Sequence, residues 1–224
     1  IHLHKIYRNQ GHLAFLSNLL RTQGISIFWE ELKIIPKNSN FSRYIFQKND
    51  VPQIIIDRLK EQQISLRKLA NQFQDELEIN SIINQNFSIA AEKLLSQANE
   101  LLVLCPLRRG LWGVNQIHQA LLSGNFEKGV DHWPEGTPIL CGENQPDLGL
   151  SNGDIGLLIG TSKTRKIIFR ALSDKGEPSH QLINPARLKL IEPALALTIH
   201  KAQGSEAKQV ILLWPNQPNQ PFIN

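Results

Sequence analysis

The sequence predicts an α/β fold in which a parallel sheet is interrupted by a small antiparallel barrel. An apolar strand over 101–107 leads through a Gly-bearing turn over 110–113 into a helix over 114–122, which is the α/β unit of a parallel sheet. Residues 124–192 are instead dense in Gly, Pro, Asn and Asp around short β-like runs. A second apolar strand over 194–199 then resumes the α/β pattern.

Apolar residues at helical spacing predict the remaining helices, which cover 11–23, 51–73 and 90–99. Gly24 fits the C-cap of the first helix. Short apolar runs bounded by turn residues predict the strands, and Asn152-Gly153 is a strong tight-turn signal. These strands cover 137–141, 155–159, 166–171, 181–183 and 210–214. The predicted domains are therefore 1–123, the inserted barrel 124–192, and 193–224, where the first domain continues.

Composition supports a folded protein that contacts a polyanion. The chain has 224 residues, of which 41% are hydrophobic, and this is enough for a real core. Its net charge is +4, with basic stretches over 1–70 and 151–224 and an acidic stretch over 71–150. The two cysteines, Cys105 and Cys141, sit in apolar runs and are expected to be buried thiols rather than ligands of a metal site.

The chain begins at Ile1 and contains no Met, which indicates either an internal segment of a longer protein or a sequence from which Met residues are missing. The given sequence does not open with the charged, apolar and cleavage regions of a secretory leader, and it contains no apolar run long enough to span a bilayer. A cytoplasmic protein without membrane contact is expected.

The stretch 198–206, TIHKAQGSE, carries the chemistry of the chain. It follows an apolar strand, and strand ends of open α/β sheets are where ligands bind. Thr198, His200 and Lys201 offer a hydroxyl, an imidazole and an ammonium to phosphates or bases. Gly204 permits a close backbone approach or an unusual φ. A polar loop with no ligand is the alternative, and seven ordered polar residues disfavour it.

TIHKAQGSE closely resembles motif V of superfamily 1 helicases, and most of all the version found in the RecD group. The resemblance implies that Thr198, His200, Lys201 and Gln203 contact DNA. It implies that Gly204 and Glu206 lie toward the nucleotide.

Three further segments extend the resemblance. LLVLCPLRRGLWGV, 101–114, resembles the family's strand–R-x-G-x-x-G-V–helix segment and adds Arg109 as a DNA contact, although Ile117-His118 stands where members usually have Leu-Asn. LGLSNGDIG, 148–156, resembles a stretch of the SH3-like barrel that RecD-like proteins insert before motif V, and Asn152 is its predicted DNA contact.

Near the start, Ile6-Tyr7-Arg8 before Gly11-His12-Leu13 resembles motif IV, whose arginine reaches the γ-phosphate. The resemblance makes Arg8 the candidate catalytic and nucleotide-sensing residue. It implies a second RecA-like domain of the P-loop NTPase type, within a 5′→3′ DNA helicase that forms the alpha subunit of exodeoxyribonuclease V. ATP, Mg²⁺, single-stranded or duplex-end DNA, and RecB-like and RecC-like subunits are the implied cofactors and partners, and double-strand-break repair the implied process.

The sequence contains no GxxxxGK[ST] phosphate loop, no acidic pair at a strand end for Mg²⁺, and no arginine motif after motif V. Because ATP hydrolysis needs the phosphate cradle, the metal and the arginine together, the chain alone is expected to bind no nucleotide tightly and to have no ATPase activity.

Other hypotheses stay open. A stand-alone RecD paralogue or a relaxase-helicase shares these motifs, and a non-catalytic module that binds single-stranded DNA would use the barrel. Basic residues on the strand 161–170 could follow a DNA backbone, and Trp112 or Trp133 could stack on bases. A hydrolase using Ser205 and His200 is disfavoured, because their spacing makes no nucleophile elbow.

Overall fold

The computed structural model describes residues 11–35, 50–79, 85–161, 163–173 and 175–214. They divide between two compact units, Ile1–Gln47 and Lys48–Asn224. No described helix is both long enough and apolar enough to cross a membrane. Arg8 and the rest of the predicted motif IV before Gly11 lie outside the described residues.

The first unit contains a pair of packed helices, α1 (Gly11–Gln23) and α2 (Ile25–Ile34). Helix α1 has the predicted bounds, and its buried Leu16 and Leu19 follow the predicted apolar stripe. Gly24 separates the helices at a φ of +85°, which L side chains rarely adopt. Helix α2 was not predicted, because its apolar residues crowd together without a clear helical stripe.

The second unit contains three helices and two sheets. Its helices are α3 (Gln53–Ile79), α4 (Gln85–Ala98) and α5 (Val114–Leu122). Its strands are β1 (Leu101–Cys105), β2 (Pro138–Cys141), β3 (Ile155–Ile159), β4 (Lys166–Leu172), β5 (Pro178–Ile183), β6 (Ile191–Pro193), β7 (Leu197–Thr198) and β8 (Gln209–Leu212). The sequence predicted every one of these elements except β6. It placed the strand that contains Thr198 over 194–199, whereas β7 begins only at Leu197.

The predicted parallel sheet is present, with the order β7-β1-β8. Strand β1 is central and pairs in parallel with both neighbours, with Cys105 opposite Thr198 and Leu101 opposite Gln209. The α/β class is therefore confirmed. The strand containing Thr198 ends at the carboxyl edge of this sheet, which is the edge where the sequence placed a ligand site.

An antiparallel sheet with the order β5-β4-β3-β2-β6 occupies the chain between β1 and β7. Its registers pair Leu157 with Pro138 and with Ile168, and Ile139 with Pro193. These pairings establish a five-stranded antiparallel sheet where the sequence predicted a barrel. Closure into an SH3-like barrel stays a prediction.

Helix α3 packs on both sheets. Its first half contributes Ile55 and Leu59 to a core shared with Val103 of the parallel sheet. Its second half contributes Leu66 to a different core, shared with α4 and with Ile168 of the antiparallel sheet. The sequence assigned no motif to residues 25–97, and the structure shows that within this range α3 packs on both sheets, while α4 packs on α3 and on the antiparallel sheet.

Candidate functional site

The loop 199–208 runs from the carboxyl ends of the strands of the parallel sheet back to their amino ends. At its start, the amide of Ile199 donates to the carbonyl of Cys105 at 3.1 Å, at the carboxyl edge. At its end, the amide of Lys208 donates to the carbonyl of Asn99 at 3.1 Å, just before β1. The stretch 198–206, which resembles motif V, therefore extends along the side of the sheet. It begins at the carboxyl ends of the strands and finishes toward their amino ends.

Thr198 stabilises the first turn of this loop. Its hydroxyl oxygen accepts from the amide of Lys201 at 3.3 Å, and its carbonyl accepts from the amide of Ala202 at 3.1 Å. This turn leaves His200 and Gln203 exposed. Of the predicted DNA contacts, Thr198, His200, Lys201 and Gln203 therefore lie in one local turn, where Thr198 also has a structural role.

Gly204 and Glu206 lie further along the loop. Gly204 has a φ of +87° with open space where a Cβ would stand, so its backbone conformation rather than close packing requires glycine. Glu206 is exposed and lines a small cavity with Asn99 and Leu102, beside the amino end of β1. The predicted role of both residues toward a nucleotide stays a prediction.

Glu192, at the end of the antiparallel sheet, joins this loop to the one that follows β1. Its carboxylate lies 3.1 Å from Lys201 Nζ and 2.6 Å from Arg108 Nη2. Burial raises the pKa of Glu192, but the hydrogen bonds from Lys201 and Arg108 outweigh it and hold the pKa below its usual value. Sequence reasoning missed Glu192 and Arg108, and chose Arg109, the neighbour of Arg108, instead.

The loop that follows β1 is held by backbone contacts. The amides of Val114 and Asn115 donate to the carbonyls of Leu107 and Arg108 at 3.2 and 3.0 Å. A Cβ on Gly113 would stand 3.0 Å from the carbonyl oxygen of Arg108, so the loop is tightly closed. Arg109 is exposed and forms no ion pair with any described residue.

Trp112 is part of the core. Only 7% of it is exposed, and its indole Nε1 donates to the carbonyl of Asp50 at 2.9 Å. Trp133 is also buried, with its Nε1 donating to the carbonyl of Phe126 at 3.1 Å. Neither ring is available to stack on bases, and that hypothesis is withdrawn.

The predicted DNA contact Asn152 lies in a separate loop, between β2 and β3. It is exposed, and its amide donates to Asn144 Oδ1 at 2.8 Å. Gly153 completes the predicted tight turn at a φ of +104°. Within the described part of the chain no hydrogen bond or ion pair joins Asn152 to the loop 199–208, so the structure does not bring these predicted contacts together.

Two of the four cations on the basic strand 161–170 are engaged within the protein. Arg165 Nη1 donates to the carbonyls of Val130 and Trp133, the latter at 2.9 Å. Arg170 pairs with Glu92 of α4 at 2.8 Å, and these contacts hold the pKa of Glu92 at about 2. Lys163 and Lys166 remain exposed, which leaves a much weaker basic face than the sequence indicated.

Both cysteines are buried and free, as expected, and burial raises the pKa of Cys105 to about 12. No group of three or more His, Cys, Asp or Glu suited to a metal occurs among the described residues. Ser205 and His200 share no hydrogen bond in the described structure, so the geometry lends no support to a hydrolase.

His118 stands where the resembling family usually has Asn, and it lies beneath the site. It is 2% exposed on α5, and its Nε2 accepts from the amide of Ala196, just before β7, at 3.4 Å. Burial lowers its pKa to about 4, although the nearby Glu192 carboxylate acts in the opposite direction. His118 is therefore neutral at pH 7 and connects α5 to the segment that leads into the loop.

Replacing His118 by Gln is expected to flatten the dependence of stability on pH. Because the folded pKa lies below the ordinary 6.5, the neutral ring contributes fully above pH 6.5, and its contribution falls as the pH drops toward 4. The total loss is on the order of 3 kcal/mol. Denaturant unfolding at pH 7.0, 5.5 and 4.5 measures it, and equal pH slopes for the variant and the parent would contradict the assignment.

The sequence of this chain is similar to the sequences of several known proteins. The RecBCD enzyme subunit RecD of Haemophilus influenzae is 26% identical over 82% of this chain, and that of Buchnera aphidicola subsp. Schizaphis graminum is 30% identical over 62%. The subunit of Mycolicibacterium smegmatis is 33% identical over 55%. The chain is RecD-like. No protein-family model matches it.

The RecD-like chain spans about a quarter of the length of these curated relatives, with 28%, 25% and 22% of each covered. The match to the Haemophilus influenzae subunit covers 82% of the chain and therefore includes most of the second compact unit by its extent alone. The activity, substrate and partners of a whole RecD-like protein therefore come to this chain as proposals.

Proposed function

We propose that this chain is the C-terminal part of a RecD-like, ATP-dependent 5′→3′ DNA helicase subunit of exodeoxyribonuclease V that acts in double-strand-break repair and recombination. The observation that carries the proposal is the position of the TIHKAQGSE loop, which leaves the carboxyl edge of a parallel sheet and presents Lys201 beside Arg108. Cations at such an edge suit a nucleic-acid backbone.

In this proposal the parallel sheet belongs to a second RecA-like domain, formed by 1–123 and 193–224, and the antiparallel sheet to an SH3-like barrel over 124–192. The loop 199–208 extends along the sheet, which supports a role in coupling. Thr198, His200, Lys201 and Gln203 would contact the strand at one edge. Gly204 and Glu206, near the other edge, would respond to the nucleotide.

The remaining parts of the motor would lie outside the described structure. ATP and Mg²⁺ would be bound by the full-length protein, with Arg8 as the nucleotide sensor, and the phosphate loop and arginine motif would come from the rest of the protein. RecB-like and RecC-like subunits are the proposed partners, in the cytoplasm. The similarity to subunits named RecD supports this assembly.

The deciding experiment measures ATPase activity of the full-length protein with and without its partner subunits, as a function of single-stranded DNA concentration. Lys201→Ala and Thr198→Ala are expected to reduce the DNA-stimulated ATPase rate about tenfold or more. In the proposal, DNA stimulates hydrolysis through this loop, and the loop needs its cation and its first turn in position to do so. Arg187→Ala, at an exposed position in the antiparallel sheet's last connection, is the matched control and should leave the rate unchanged.

Unchanged stimulation in both loop variants would refute the proposed role of the loop. The chain alone is expected to show no ATPase activity, and measurable turnover would refute that expectation.

A second candidate is a module that binds single-stranded DNA without hydrolysing ATP. Exposed Lys163 and Lys166 near the antiparallel sheet favour it, but Arg165 and Arg170 are engaged elsewhere. If the full-length protein binds single-stranded DNA but shows no DNA-stimulated ATPase under any condition, this candidate replaces the motor.

A further inference from the structure

Three charged residues from three separate segments meet at the site. Arg108 comes from the loop after β1, Glu192 from β6, and Lys201 from the loop after β7. The side chains differ in exposure, at 54% for Arg108, 31% for Lys201 and 15% for Glu192. The carboxylate is therefore the most deeply placed of the three, and the two cations are more open to solvent.

Glu192 is the shared counter-ion of both cations. Oε2 lies against Arg108 and Oε1 against Lys201, so one carboxylate uses both of its oxygens to set the spacing of an ammonium and a guanidinium. Among the described residues, neither cation has another ion pair. Without this carboxylate, like charges at this spacing would repel each other and the two flexible side chains would separate.

Most side-chain donors of the two cations have no partner among the described residues. An ammonium has three N–H donors and a guanidinium has five. In the part of the chain that the structure describes, each cation forms one ion pair, the one with Glu192. Since the carboxylate lies deeper than both cations, it does not fill the solvent side of the pair.

We propose that Glu192 is a positioning residue, which holds Lys201 and Arg108 side by side so that both contact the same backbone phosphate of a single strand. This inference rests on the proposed function, because it needs the loop to contact DNA. It adds Arg108 to the DNA-contacting residues. It also makes the antiparallel sheet, through its last strand, a structural determinant of that contact.

The test uses the full-length protein with its partner subunits and measures binding of a fluorescent oligothymidylate at several salt concentrations. Glu192→Gln is expected to weaken binding about tenfold and to reduce the salt slope by about 0.7, the loss of one phosphate contact on a single strand. Glu100→Gln is the matched control, because it removes the same charge from the Glu100–Lys208 ion pair. The control is expected to bind like the parent.

The direction of the effect distinguishes positioning from simple charge. If Glu192 only neutralises the cations, Glu192→Gln adds net positive charge and binds as tightly as the parent or more tightly, which would overturn the proposal. Positioning through the two cations also requires that Glu192→Gln, added to a variant that already carries Lys201→Ala and Arg108→Gln, weaken binding no further. A further loss in that background would mean that Glu192 acts independently of the two cations, and would overturn the proposal too.

Arg108→Gln keeps the test decisive if the Glu192 variant folds poorly, since Arg108 is half exposed and its replacement spares the core. It is expected to weaken binding as much as Glu192→Gln, and unchanged binding would overturn the proposal. The two levels of inference fail separately. If Lys201→Ala itself leaves binding unchanged, the proposed DNA contact of the loop is wrong. If Lys201→Ala weakens binding but Arg108→Gln and Glu192→Gln do not, only the positioning role is wrong.

Discussion

Gly136→Ala is expected to destabilise the second compact unit by on the order of 3 kcal/mol or more. Gly136 precedes β2 at a φ of +79°, and a Cβ there would stand 2.5 Å from the backbone nitrogen of Arg67 and 2.8 Å from its Cα. Both atoms belong to the backbone of α3, so no side-chain rotation relieves the overlap. The strand or the helix would have to move, although the amide of Gly136 is held by the carbonyl of Leu158 at 2.8 Å.

Thermal and denaturant unfolding would measure this loss. Gly124→Ala is the matched control, since a Cβ at Gly124 meets no atom within 4 Å and its φ is not positive. At about 2–4 °C per kcal/mol for a domain of this size, the Gly136 variant should melt at least 6 °C lower than the control. Equal melting temperatures would show that the turn before β2 does not lie against α3.

Ile64→Pro is expected to separate the folding of the two sheets. Ile64 lies in α3 between Leu59, in the core of the parallel sheet, and Leu66, in the core of the antiparallel sheet. A proline in a helix interior removes a backbone hydrogen bond, clashes with the preceding turn and costs about 3 kcal/mol or more. Because α3 contributes to both of these cores, the break should lower stability and broaden or split the unfolding transition.

Ile64→Gln at the same position is the control. Ile64 is 70% exposed, so losing its side chain removes little burial, and Gln is at least as good a helix former. Circular dichroism and denaturant unfolding would compare the two variants. A proline variant as stable and as cooperative as the glutamine variant would mean that the halves of α3 do not depend on each other.

Local patterns in the sequence predicted most of the elements. Helices α1 and α5 have the predicted bounds, and β3 does as well, because short-range periodicity and the flanking glycines define them. Helix α2 was missed where apolar residues lacked a clear period. Strand β6 was missed because its residues form a strand only by pairing with β2, across about 50 residues of chain.

Contacts made within the folded protein determined which of the candidate side chains remain available at the site. The sequence made Trp112 and Arg165 candidates for contact with nucleic acid. In the structure Trp112 is buried in the core, and Arg165 donates hydrogen bonds to the carbonyls of Val130 and Trp133. Arg108 and Arg109 are neighbours of identical type, and only one of them reaches Glu192. No sequence period distinguishes these cases, because each partner is brought in by long-range folding.

The sequence by itself determined the α/β class and the similarity to RecD subunits, because apolar strands, a Gly-bearing turn and the ordered polar stretch TIHKAQGSE are local signals. Only the tertiary structure decided which charges meet there. Glu192 joins Lys201 to Arg108 because the antiparallel sheet returns its last strand to the edge where β1 and β7 both end. That proximity follows from strand pairing and core packing over about 90 residues of intervening chain, which no local pattern encodes.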